Sequence, residues 1–271
     1  DLTLHTNAKK IDFKDLKLED VKGEVVIRDQ SINLSDLCMS SNIGSGDLTM
    51  VYTTKTDQEA TMGFELSLND ILVERLISLF PDIDTLVPML RSFEGMVDCQ
   101  MTATCKADST MSVLLPSVNA SCYLSGKNMV LLDGETFTEI SKTLMFKNKK
   151  RNMIDSIAVD LAIHDNKIEV FPFLVEMDRY KVAVGGTHNL DMTFDYHLSV
   201  LKSPVPFKLG IDIKGNLDDF KFKIVKCKYK DFLKPTKQAE LDSTRRNVRE
   251  EIRETIRKHK RGRSRIRKQP L

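Results

Sequence analysis

No apolar run in this chain approaches the roughly 18–20 residues that a membrane-spanning helix requires. No leader is visible either, because Asp1 to Lys10 is polar. The chain also lacks G-x-G-x-x-G, the phosphate-cradling G-x-x-x-x-G-K-[ST], G-x-S-x-G and H-E-x-x-H. Those absences remove the sequence case for dinucleotide binding, P-loop chemistry, a hydrolase nucleophile elbow and a zinc protease. The five cysteines, Cys38, Cys99, Cys105, Cys122 and Cys227, form no C-x-x-C pair and no Cys/His set with zinc spacing.

The charged residues are not evenly spread. From Lys237 onward there are thirteen Lys and Arg against five Asp and Glu, a net of +8, which leaves the preceding body at −6 within an overall +2. Arg257 to Lys268 holds eight Lys and Arg and no acidic residue. Lys258, Arg261, Arg263 and Arg265 are therefore candidates for anionic headgroup contact, at about 1 kcal/mol per basic residue close to such a surface. A solvated terminus is the competing reading. The body has no aromatics interleaved on a basic face and no helix-turn-helix, so no nucleic-acid partner is expected. The first residue is Asp rather than Met, so the chain is expected to be a fragment or processed product, and any targeting or anchoring segment would lie upstream.

What the chain does have is alternation. Apolar residues recur at every second position in Ile157–Ile163, Tyr180–Val184, Phe194–Val200, Phe207–Ile213 and Phe220–Ile224, the period of strands with one buried face. Strand starts recur every 11 to 14 residues, with turn signals at Asp165-Asn166, Asp178-Arg179, Asn189 to Asp191, Ser203-Pro204 and Gly215-Asn216. That spacing leaves no room for helical crossovers and predicts an antiparallel meander. Pro172 inside Ile168–Met177 marks an edge, bulge or bend, and Gly185-Gly186 reads as a bulge or sharp bend.

Earlier, Ile11–Leu18, Gly23–Arg28, Ser31–Cys38, Gly46–Thr54 and Thr61–Leu68 read as strands. Asn69 would cap a helix at Asp70–Phe80, and a short helical piece follows near Thr85–Ser92. Strands resume at Gly95–Cys105, near Met111–Leu115 and at Asn119–Val130. A second helix is expected at Phe137–Met145 behind a Thr136/Glu139 capping box. Ala239–His259 reads as a charged helix with a narrow stripe of Leu241, Val248, Ile252 and Ile256.

The expected fold is thus mostly β with a few short helices (α+β). It is an antiparallel meander sheet, curved or groove-like, ending in a charged helix. The expected divisions are a β-rich region at 1–118 with its helix near 70–80, a β-meander at 119–234, and a basic helical tail at 235–271. One face of the meander offers Tyr196, Leu198, Leu209, Ile211, Phe222 and Ile224 as groove-lining candidates. Phospholipid or another acyl-chain lipid is the expected ligand.

The cysteines read as buried reduced thiols on apolar faces. The alternative, a disulfide from Cys122 to Cys99 or Cys105, would imply an oxidising compartment. His188 and His197 with Asp191 and Asp195 are the one cluster to test for metal or acid/base chemistry, with His197 on the polar side of its strand. The carboxylates in Asp133–Glu135 and Asp178–Tyr180 read as turn chemistry. No catalytic residue, cofactor or metal is expected.

Several stretches resemble the C-terminal region of AsmA-like bacterial envelope proteins. They are Leu124 to Leu132 (LSGKNMVLL), Thr136 to Ile140 (TFTEI), Ile168 to Phe173 (IEVFPF), Asp178 to Tyr180 (DRY) and Val184 to Leu190 (VGGTHNL). Phe194 to Val200 (FDYHLSV), Pro204 to Gly210 (PVPFKLG) and Ile213 to Leu217 (IKGNL) continue the likeness. Gly186 to Leu190 fits the family's G-x-x-x-L step. The resemblance covers about residues 120 to 230, is looser over 11 to 118, and does not reach the basic tail. It implies a periplasmic protein anchored in the inner membrane and similar to bridge-like lipid-transfer proteins of outer-membrane biogenesis. It supplies no catalytic residues. Five cysteines are unusual for such a compartment unless some pair. A structural or scaffolding envelope protein acting through protein partners is the alternative.

Overall fold

A computed structural model describes residues 2–13, 16–41, 44–56, 59–79, 93–108, 112–132, 151–177, 179–189, 191, 193–204, 208–216 and 219–261. Among the described residues, fourteen strands form one antiparallel sheet. The first five are β1 (Leu2–Phe13), β2 (Leu16–Arg28), β3 (Ser31–Ser41), β4 (Gly44–Thr56) and β5 (Glu59–Leu72). They are followed by β6 (Phe93–Glu94), β7 (Met96–Ala107), β8 (Asn119–Leu132), β9 (Arg151–His164) and β10 (Lys167–Met177). The last four are β11 (Tyr180–Asn189), β12 (Phe194–Lys202), β13 (Leu209–Gly215) and β14 (Phe220–Val225). Strands pair in chain order throughout, except that the two-residue β6 pairs with β8 and leaves β5 beside β7.

The hairpins follow from local chemistry. Asp29-Gln30 and Asp165-Asn166 all have φ between 48° and 60°, and they separate the paired positions Arg28/Ser31 and His164/Lys167. Two consecutive left-handed residues make the tight turn whose twist matches the flanking strands. Ile11–Leu18, expected as one strand, is instead the join of a hairpin: Ile11 pairs with Leu18 and Phe13 with Leu16.

Bulges explain why the first third alternates less cleanly. The register shifts between Leu34 and Leu37 and between Leu68 and Ile71. Asp36 and Asp70 sit inside these steps at φ 50° and 56°. Asp tolerates that conformation better than most residues. The extra residue returns Leu37 to the face of Leu34, and Ile71 to the face of Leu68, although each pair is three positions apart.

Ladder pairing likewise displaces the first helix. Residues expected as its start, Asn69 to Leu72, belong to β5, and helix α1 is Val73–Leu79. Val113 makes one isolated bridge to Ala107, and Leu115–Ser117 is a 3-10 turn rather than a strand. The expected helices at 85–92 and 137–145 lie outside the described residues. Around position 118/119 the sheet is continuous, because β7 and β8 pair from Val97/Gly126 to Thr104/Asn119. The charged C-terminal helix, α2, is Pro235–Arg261.

The sheet curls. Strand β10 pairs with β9 at only four positions, up to Val170/Leu161. Phe171 and Pro172 then oppose Gly185 alone, so the expected bulge falls at Pro172, and Gly185-Gly186 continues in β11 without one. Beyond it, β10 swings back over the sheet. Phe173 packs on the buried cluster of Cys99, Cys122, Leu161, Ile168 and Val170. Val175 packs on a second cluster of Ile71, Val73, Val97, Met129 and Ile154.

Candidate functional site: an apolar inner face

Directly opposed residues in a sheet share a face, so the register traces what each face carries. From Leu4 the partners run through Val25, Leu34, Met50, Phe64 and Ala103. They continue through Ala120, Ile163, Ile168, His188, Phe194 and Gly215 to Phe220. A parallel ladder runs from Leu37 through Leu48, Leu66, Met101, Cys122, Leu161, Val170, Gly186, Tyr196 and Ile213 to Phe222. One apolar face thus runs the whole sheet, and it is the inside of the curl. Thirteen strands in sequence give twelve steps, about 58 Å along the curve at about 4.8 Å each.

All six groove candidates lie on this face. Tyr196 faces Ile213, Leu198 faces Ile211, and Val200 faces Leu209. Ile213 faces Phe222, and Ile211 faces Ile224. Their exposure is graded: Ile211 is 1 % exposed and Ile224 is 65 %. At the opposite margin Leu2 and Leu4 are 57 % and 54 % exposed. The apolar face is closed in the middle and open at both ends. Tyr196 reaches the central cluster by lying over Gly186, where a Cβ would stand 2.8 Å from its ring. Burial pushes its phenol up to about 12.

His188 is the one titratable side chain in the first ladder besides the apolar and glycine positions. It is buried, stacks on Phe194 at 6.3 Å, and its Nε2 has no hydrogen-bond partner. Burial lowers its pKa, against a smaller opposing effect of Asp191, so the neutral imidazole is favoured there.

His197 faces the other way. It opposes Gly185 and Asp212, not the ladder of His188, so alternation puts the two histidines on opposite faces. Nor is it on a solvated face, being 3 % exposed. The Lys228 N–H donates to Nε2 at 3.1 Å, which leaves Nδ1 protonated and donating to Asp212 at 2.6 Å. Ser199 Oγ lies 2.9 Å from Nε2 and accepts the Tyr229 N–H at 2.9 Å. Serine, histidine and aspartate stand here in hydrolase-like order. Ser199, however, has no exposed surface, so it presents no nucleophile to a substrate. The group instead pins segment 226–229, which leads into α2. Burial raises the Asp212 carboxyl, but hydrogen bonds from His197 and Lys228 outweigh it and hold the pKa below the usual value. Pattern reading misses this clamp. A His and a Ser two apart on one strand are visible in sequence, but their partners lie 15 to 31 residues away.

Helix α2 crosses the outer face. Ile252 and Ile256, 8 % and 2 % exposed, pack with Val248 on Val51. Ile256 approaches so closely that a Cβ on Gly63 would stand 3.0 Å from it. Arg253 reaches Glu65 at 3.5 Å, while Arg245 and Arg249 reach Asp160 at 3.2 and 3.5 Å. Arg245 also donates to the Pro172 carbonyl at 2.9 Å. Burial raises the Asp160 pKa, and the two arginines only partly offset it. Of the headgroup candidates, Lys258 and Arg261 fall in the last turn of α2, and Arg263 and Arg265 lie outside the described residues.

Among the described residues no three His, Cys, Asp or Glu are grouped to hold a metal ion. Nor is any described helix long and apolar enough to cross a membrane. No family model, curated protein or solved structure matches this chain.

Proposed function

We propose that the chain is a non-catalytic, lipid-handling protein of the AsmA-like type. In this reading it works in the periplasm, anchored to the inner membrane, and its inner face takes the acyl chains of phospholipid in outer-membrane biogenesis. The observation that carries the reading is the apolar ladder from β1 to β14, interrupted by the buried His188, closed centrally and exposed at both margins. At about 58 Å it is roughly twice the hydrocarbon thickness of a bilayer. Burying a chain there gains about 0.8 kcal/mol per CH₂ without requiring a single polar contact. Continuity suits conveying a chain better than holding one.

The second reading is a scaffold whose inner face is filled by its own residues. The near-complete burial of Ile211 and Ile213, 1 % and 5 % exposed, favours it.

Native mass spectrometry of protein purified from its host envelope, followed by lipid extraction, separates the two. A charge at Ile211 would unfold the sheet, so the informative variants are Phe222→Asp and Ile224→Asp on the margin strand. Co-purifying phospholipid that drops in the folded variants supports conveyance. A lipid-free wild-type protein leaves the scaffold.

A further inference from the structure

We propose that Cys99 and Cys122 form a disulfide across the β7–β8 seam when the protein folds in an oxidising compartment. Cys99 opposes Leu124 and Cys122 opposes Met101, so the two are diagonal neighbours on the inner face. The twist of a sheet shortens one of its two diagonals. Their Sγ atoms are 3.9 Å apart, both residues are 4 % exposed, and no other residue separates them in the central cluster. Closing to a bond length of about 2.05 Å keeps the strand register but draws the two backbones together, since diagonal neighbours stand about 7–8 Å apart against the roughly 4.4–6.8 Å Cα span of a disulfide.

The register also discriminates against Cys105. Thr104 pairs with Asn119, which places Cys105 opposite position 118, four residues along β8 from Cys122. At about 3.4 Å per residue that is roughly 14 Å, well beyond a disulfide. Cys38 is exposed on β3, and Cys227 lies after β14.

The position has a structural consequence. Strands β7 and β8 are paired at eight positions, against eleven for β5–β7 and twelve for β8–β9. The link therefore staples the shortest of these three ladders, midway along the sheet. It does not depend on what the inner face carries.

The oxidant is a small-molecule or protein disulfide, R–S–S–R. The Cys99 thiolate attacks one of its sulfurs, forming a mixed disulfide and expelling R–S⁻. The Cys122 thiolate then attacks Cys99 Sγ and expels the second R–S⁻. Two protons from the cysteines go to the two R–S⁻ groups, and two electrons pass from the cysteine pair to the reagent. Both thiols are buried in the finished sheet, so exchange takes place before β8 docks on β7.

The test is peptide mapping of wild-type protein from the host envelope, alkylated at lysis and digested without reductant. The expected result is a Cys99 peptide linked to a Cys122 peptide, with Cys38, Cys105 and Cys227 alkylated. Alkylation of both Cys99 and Cys122, or a Cys122–Cys105 link, overturns the proposal. Refolding the reduced protein in a buffer of oxidised and reduced glutathione gives an independent readout. There the same link is expected, with a thermal midpoint raised on the order of 5–10 °C over the reduced form. Cys122→Ala should abolish both link and shift. Free thiols after refolding of the wild type also overturn the proposal.

Discussion

Replacing His197 by alanine should loosen the C-terminal helix before it loosens the sheet. His197 is the hub of the clamp: it accepts the Lys228 N–H, bonds Asp212 and contacts Ser199. Truncation leaves the Lys228 N–H without its acceptor and Asp212 without its imidazole partner. An unpaired buried polar group costs about 1–3 kcal/mol. Tyr229, whose ring stands edge-on to His197 at 5.3 Å, also loses its packing partner. The expected loss is about 2–4 kcal/mol.

Urea unfolding followed by circular dichroism gives the total change. Native-state hydrogen exchange then locates it, with α2 amides losing protection more than those of β12 and β13. His197→Gln, which can still accept the Lys228 N–H, should recover part of the loss. A change below about 0.5 kcal/mol, the range of an uninvolved surface site, would refute the clamp. So would loss of protection spread evenly over the sheet.

Acid tests the same site with a defined sign. The Asp212 pKa lies below its unfolded value, so its contribution is present above the unfolded pKa and is lost as pH falls through the folded one. Asp212→Asn should therefore be less acid-sensitive than wild type in urea midpoints between about pH 5 and 2. Asp160 has the opposite sign, because its pKa is raised. Its buried charge costs stability near neutrality, and the cost disappears as pH falls towards the unfolded value, so Asp160→Asn should lose ground to wild type on acidification.

Tyr196 should titrate near 12, above the roughly 10 of a free phenol, which a near-ultraviolet absorbance titration can read as the difference between wild type and Tyr196→Phe. A Tyr196 that ionises near the free-phenol value of about 10 would place it outside the curl. Ile256→Ala should cost about 2–4 kcal/mol in urea unfolding. The residue is 2 % exposed beside a cavity of about 150 Å³ lined by Val51, Thr61 and Gly63. A cost no larger than that of the half-buried Val248→Ala would show that α2 does not seat there.

Where strands run straight, their residues spell them out. The alternation of Phe194–Val200 and Phe220–Ile224 is enough to put Tyr196 with Leu198, and Phe222 with Ile224, on one side of their strands, because a period of two leaves no freedom over which residues share a side. The turn at Asp165-Asn166 is equally legible, since few residue pairs accept two consecutive left-handed conformations. Alternation fails at Leu34–Leu37 and Leu68–Ile71, where one aspartate in a bulge shifts the phase. A left-handed aspartate inside a strand looks, in sequence, like a helix cap, and Asn69-Asp70 carries that misleading signal.

The residues alone carried the antiparallel meander, the sidedness of the straight strands after Ile157, and the apolar stripe of α2; the Ile11–Leu18 hairpin join and the phase shifts at Asp36 and Asp70 were not legible there. Which face that helix covers is settled by packing between distant parts of the chain. It lies on the outer face, where Gly63 leaves room for Ile256 and the small buried side chains of Thr102, Ser121 and Ala162 line up across β7, β8 and β9. A stripe of isoleucines shows that a helix must bury one side. The close approach that selects its partner is assembled from residues far apart in the chain. The same holds for the curl: Pro172 marks a break in one strand, but only packing of Val175 on the far cluster turns that break into an enclosed apolar face.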